Sequence, residues 1–101
     1  MKSLFEFTNL DGEKEAIPSQ WLDKDGVVLA WPSRKQRKVQ LQLLRYLATK
    51  FLPNRTYREV EVNIVLKNWH AFDDHALLRR EMFDLGLLDR ELDGSQYRRA
   101  V

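Results

Sequence analysis

Three groups of side chains in this sequence are of types that bind charge or do chemistry. Arg34-Lys35-Gln36-Arg37-Lys38 places four cations within five residues, Arg79-Arg80 sets two arginines side by side, and His70-xx-Asp73-Asp74-His75 gathers metal-compatible donors. The first group falls where a helix is expected to begin. A helix N-terminus carries partial positive charge, so each exposed cation there is unfavourable by roughly 0.3–1 kcal/mol at low salt. Two arrangements offset this. One is a phosphate ligand, which the free N–H groups of a helix start also favour. The other is neutralisation by Glu13, Glu15, Asp23 and Asp25 of the preceding segment. Both stay open at this point.

Arg79 and Arg80 sit in Leu77-Leu78-Arg79-Arg80-Glu81. Adjacent helical residues point about 100° apart, so only one of them can hold the centre of a given face. An arginine on a helix in the DNA major groove reads guanine through two hydrogen bonds. An arginine turned toward the preceding helix pairs instead with Glu59 or Glu61. One of each is predicted, and the order is open. His75, Arg90, Arg98, Arg99 and Lys67 are further candidates for phosphate contacts, which add affinity and salt dependence without reading sequence. No metal or cofactor is expected, because an aspartate of the His/Asp cluster is needed as a helix cap and no Cys or third His completes a zinc set. No Ser or Cys nucleophile accompanies the histidines and no Gly-rich phosphate loop occurs, so the chain does not read as an enzyme.

The elements that must position these residues change character at Pro32. Before it, Asp11-Gly12-xxx-Ala16-Ile17-Pro18-Ser19 is echoed by Asp25-Gly26-xxx-Ala30-Trp31-Pro32-Ser33. Each copy reads as turn, short strand and stop. Strands are predicted at residues 4–8, 13–17 and 27–31. After it come helices. Ser33 and Gln36 form a capping-box pattern for a first helix to about Phe51, with Val39, Leu43, Leu47 and Phe51 as its apolar stripe. Thr56 and Glu59 form a second such pattern, opening a helix to about Trp69 with Val60 and Ile64 facing inward. Asp73 or Asp74 caps a third helix, 75–85, with Leu78, Met82 and Leu85 inward and Gly86 just past its end. A hairpin follows on Asp93-Gly94, pairing Arg90 with Tyr97 and Asp89 with Arg98, with Leu88, Leu92 and Tyr97 on one face.

The expected fold is therefore α+β: a three-helix, winged helix-turn-helix-like domain (33–101) with a C-terminal β-hairpin wing and a short β-rich N-terminal extension (1–32), together one structural domain. At 101 residues, 44% hydrophobic and 32% charged, this is ordinary globular composition. There is no cysteine, no apolar run of membrane-spanning length and no apolar leader at the start, so a cytoplasmic location without membrane contact is expected. The net charge of +2 is divided unevenly. Residues 1–32 hold three Lys against six acids, and residues 33–101 hold fourteen Lys/Arg against nine acids. The positive charge lies on the helical part, as a polyanion partner requires; a solvated basic surface has the same signature.

The helical part resembles the bacterial family known as domain of unknown function 2087. The resemblance rests on Asp25-Gly26-xxxx-Trp31-Pro32-Ser33, Tyr57-Arg58-Glu59-Val60-Glu61-Val62-Asn63, Phe72-Asp73-Asp74-His75-Ala76-Leu77-Leu78-Arg79-Arg80 and Leu87-Leu88-Asp89-Arg90-xx-Asp93-Gly94-Ser95-xx-Tyr97, and spans roughly residues 25–101. That family often has Trp after the final Tyr; here Arg98 replaces an aromatic with a charge. The resemblance implies a transcription-regulator-like context, alone or fused to a repressor-type helix-turn-helix domain, and implies no activity. It also draws attention to Tyr57, Glu59, Glu61 and Asn63. Local physics accounts for Glu59 as a cap and Tyr57 as packing, whereas mid-helix Asn63 has no propensity reason. The leading expectation is DNA binding through the third helix, the wing and the basic start of the first helix. The alternative is a protein-interaction or effector-sensing module with another protein or regulator domain as partner. RNA shares the electrostatics of DNA.

Overall fold

The computed structural model of the chain describes residues 3–100. Its fold is α+β, with three helices and two small antiparallel sheets. Strands β1 (Leu4–Thr8) and β2 (Lys14–Pro18) form the first sheet, with Phe5 opposite Ile17. Asn9 holds their turn by accepting the N–H groups of Asp11 and Glu13 at 2.9 and 3.0 Å. The second sheet has the order β3-β5-β4: β3 (Thr56–Arg58), β4 (Leu88–Arg90) and β5 (Gln96–Arg99).

Helix α1 (Arg37–Ala48) is the centre of the core. Leu43, Leu47 and Phe51 of the predicted stripe are fully or almost fully buried, as is neighbouring Leu44, while Val39 is half-buried. Tyr46 joins the helix to the N-terminal hairpin. Phe5 and Phe7 set their rings edge-on to it at 5.1 and 5.4 Å, and its hydroxyl donates to the Gly26 carbonyl at 2.6 Å. Burial, with Asp23 nearby, pushes that hydroxyl up to about 12, so it stays a donor across the ordinary pH range.

A second tie is ionic. Arg45 grips Glu15 of β2 with two bonds of 2.7 Å. Those bonds hold the Glu15 carboxyl below its ordinary range, against the opposing effect of burial. A depressed folded value means this stabilisation is complete above the unfolded value, about 4.3, and is lost as pH falls through the folded one. Solvent reaches Arg45, whose side chain is 36% exposed. Screening then limits the effect to about 1 kcal/mol. Urea unfolding at about pH 6 and pH 3 should therefore show a smaller acid loss in Glu15→Gln than in the parent, by about that amount.

Helix α2 (Glu59–Trp69) and helix α3 (His75–Asp84) are joined through His70. Its buried ring donates from Nδ1 to the Leu66 carbonyl and accepts the Asp74 N–H at Nε2, 2.9 Å. One imidazole thus satisfies an end of each helix. Asp74 caps α3 as predicted, accepting the Leu77 N–H at 3.2 Å. The helix ends in a pair of reverse bonds, Leu87 N–H to Met82 O and Gly86 N–H to Phe83 O, at 2.8 and 3.0 Å, the Schellman arrangement.

Several expectations are corrected. Residues 27–31 form no strand. Val28 makes only single bridges, to Leu22 and His70, because the chain there threads beneath the end of α2. Ser33 makes no side-chain cap; residues 34–36 form a 3-10 turn before α1, which ends at Ala48 rather than Phe51. Thr56 is not a cap and Glu59 is not its capping partner, since Thr56–Arg58 pairs with β5 and the cap falls two residues later at Arg58, whose N–H Glu61 accepts at 2.9 Å. The inward residues of α2 are Val62 and Leu66, while Val60 and Ile64 lie 51% and 54% exposed. Leu85 and Leu92 are exposed too. The wing register is as predicted, Asp89 with Arg98 and Arg90 with Tyr97. Its turn is wider than two residues: Gly94 N–H bonds Glu91 O at 2.8 Å, and Asp93 accepts both the N–H and the hydroxyl of Ser95.

Candidate nucleic-acid interface

Helix α3 buries Leu78 and Met82. At 100° per residue, Arg80 points about 180° from the midpoint of that pair, toward solvent. It is exposed, and no acid approaches it within ion-pair distance among the described residues. Arg79 is turned toward α2. It donates to the Asn63 Oδ1 and lies 3.5 Å from the Glu59 carboxylate. Asn63 therefore has a structural partner, and the two adjacent arginines have different surroundings. Glu59 also accepts from the Tyr97 hydroxyl at 3.4 Å, which ties the start of α2 to the wing.

Two grooves flank the exposed face of α3. On the wing side, a groove of about 390 Å³ runs between Ala76, Arg80 and Phe83 of α3, Glu59 of α2, and Arg90 and Tyr97. Arg90 is held over the Phe83 ring, 4.2 Å from its centroid. On the other side, Leu77 and Glu81 of α3 face the start of α1, lining a groove of about 440 Å³ with Trp31, Arg34, Arg37 and Gln40. The basic start of α1 and the wing are thus brought to opposite flanks of one helix.

The acidic extension does not neutralise the basic run. Glu15 is used by Arg45, and Asp23 accepts the Asp25 and Val27 N–H groups of its own turn. Arg37 pairs with Glu81 at 3.3 Å. Arg34, Lys35 and Lys38 are exposed without an ion pair among the described residues. Arg98 is exposed on β5 and lines the outer wing with Asp89 and Arg90. Acids share these surfaces, namely Glu59, Glu81, Asp84, Asp89 and Glu91.

The structure separates other sequence candidates from this face. His75 is half-buried and its Nδ1 has no hydrogen-bond partner among the described residues. Arg99 donates to the Phe51 carbonyl at 3.0 Å, on the far side of the sheet from Arg98. Tyr57 is buried beside Phe51, and its hydroxyl accepts the Leu52 N–H at 2.8 Å. Glu61 is engaged by Arg58 and Arg55. Its carboxyl is held low chiefly by the Arg58 N–H bond. The structural roles of two residues, Gln40 and His70, are not readable from the sequence. Gln40 is buried, accepting from Arg37 and donating to the Pro32 carbonyl at 2.7 Å each, and His70 is the joint described above. Only the helical phase of Gln40, one residue after Val39 and three before Leu43, hinted at its burial. Among the described residues no group of three His, Cys, Asp or Glu side chains is placed to hold a metal, and no helix is long and apolar enough to cross a membrane.

Residues 28–99 match a bacterial family described as an uncharacterized protein conserved in bacteria, domain of unknown function 2087, and the chain belongs to it. The match leaves out β1 and β2. No curated protein and no solved structure matches the chain.

Proposed function

We propose that this is a winged helix-turn-helix DNA-binding module of transcription-regulator type. The element order α1-β3-α2-α3-β4-β5, with β5 between β3 and β4, is the order expected of a winged helix. The observation that carries the reading is Arg80, exposed at the middle of the outer face of α3 and without an ion pair among the described residues. Arg34 and Arg37 flank it on one side and Arg90 on the other. In this reading α3 enters the major groove, Arg80 meets base edges, and the flanking cations meet phosphates. Arg79 orients α3 against α2. With about four phosphates neutralised, affinity for random duplex should fall roughly 100-fold between 50 and 200 mM salt. Fluorescence anisotropy with a labelled duplex measures this. Absence of binding at tens of micromolar, or binding indifferent to salt, contradicts the reading.

One observation favours a protein-interaction module instead. Val60 and Ile64 of α2 stand one turn apart and over half exposed, and Leu52, also over half exposed, lines a groove with Ile64. In that case duplex binding is absent and Ile64→Asp alters association with a protein partner.

A further inference from the structure

The groove at Trp31 has the make-up of a small-ligand site. Its aromatic wall is braced from behind: the Trp31 ring packs on Phe72, centroids 6.3 Å apart, and Phe72 packs edge-on to buried His70 at 4.7 Å. Its cationic wall is fixed as well. Buried Gln40 holds Arg37 through one end and the Pro32 carbonyl, next to Trp31, through the other, each at 2.7 Å. Glu81 steadies the same guanidinium from α3 at 3.3 Å. Arg34 lines the groove with no acid of its own among the described residues. Two guanidiniums thus stand against one carboxylate beside a half-open indole, in a space of about 440 Å³. That volume lies within the range of small-molecule sites.

We propose that this groove binds a nucleotide unit, an aromatic base stacked on Trp31 with its phosphate held by Arg34 and Arg37. Stacking on tryptophan and charge-assisted bonds from arginine to phosphate are what such a unit needs. A purely apolar ligand would leave Arg34 idle, and an inorganic anion would leave the indole unused. The site shares Arg34 and Arg37 with the proposed duplex contact but not Arg80, so Arg80→Ala, which removes the duplex-reading arginine alone, separates failure of one from failure of the other.

The test follows the three indole N–H signals of the full chain by NMR, with Trp31 assigned from Trp31→Phe. The probes are AMP, ribose 5-phosphate and inorganic phosphate. AMP should move the Trp31 signal and bind at least about tenfold more tightly than ribose 5-phosphate, because stacking contributes roughly that factor or more. Arg34→Ala and Arg37→Ala should each weaken AMP binding about tenfold, with the rest of the spectrum in place as a fold control. Arg80→Ala should leave AMP binding unchanged. A short oligothymidine that binds more tightly than TMP identifies a single strand as the natural source, and the reverse identifies a free nucleotide; both carry the site. No Trp31 shift at ~10 mM AMP, equal affinity for AMP and ribose 5-phosphate, or indifference to both arginine variants overturns it.

Discussion

Arg80→Glu should lower affinity for duplex DNA by about 100-fold at low salt while leaving stability within about 0.5 kcal/mol of the parent. Among the described residues Arg80 makes no ion pair, and its side chain points away from the core, so its removal leaves no buried group unsatisfied. Reversing its charge places a carboxylate among phosphates at the middle of the proposed contact. Arg79→Ala should do the opposite. It removes the bond to Asn63 and the contact with Glu59 between α2 and α3. Hydrogen bonds to charged groups contribute about 1.5–3 kcal/mol, so a loss of about 2 kcal/mol in urea unfolding is expected. Any effect on DNA would then follow from a displaced α3. Equal losses of affinity with equal losses of stability for the two variants would remove the distinction drawn between them.

Gly26→Ala should be the most destabilising small substitution in the chain, costing about 3 kcal/mol. Gly26 has φ +81°, where an L side chain is strained, and a Cβ there would lie 2.6 Å from the Tyr46 hydroxyl and 3.6 Å from Trp69. The hydroxyl cannot simply retreat, because it donates to the carbonyl of that same glycine. The control is Gly12→Ala. Gly12 has nearly the same φ, +80°, and open space around it, so only the backbone strain of about 1–2 kcal/mol applies. Urea midpoints of the two variants separate strain from collision. If Gly26→Ala costs no more than Gly12→Ala, Tyr46 does not fasten the N-terminal segment to α1 as described.

Much of the architecture was legible in the sequence because it is local. Asp74 and Gly86 bracket α3, alternation fixes the wing register, and spacings of four mark the stripe of α1. What misled was long-range. Thr56-Tyr57-Arg58 reads as a helix start, yet it pairs with residues some forty positions away and becomes a strand. Helix α2 carries apolar residues almost all round, Val60, Val62, Ile64, Val65, Leu66 and Trp69, so periodicity could not choose its inner face. Val62 and Leu66 are inward because β3 fixes the rotation at which the helix begins. The second Asp-Gly repeat shares the Asp-Gly, Ala and Pro-Ser frame of the first, but among the described residues Val28 finds only single bridges to Leu22 and His70. At the candidate site, the sequence supplied the cations and the existence of a division between Arg79 and Arg80. Which arginine faced Asn63 depended on where α3 packs, and the roles of Gln40 and His70 depended on neighbours brought in by the fold.

The proposed DNA contact lies on the outer face of α3 and its two flanks. The most direct measurement is the pattern of backbone amide shifts when an unlabelled duplex is added to the isotopically labelled chain. The changes should fall on residues 34–38, 76–84 and 89–98, with Arg80 and its neighbours moving most and the exposed α2 stripe around Val60 and Ile64 unmoved. Shifts centred on that stripe, or none in α3 at saturating duplex, would contradict it.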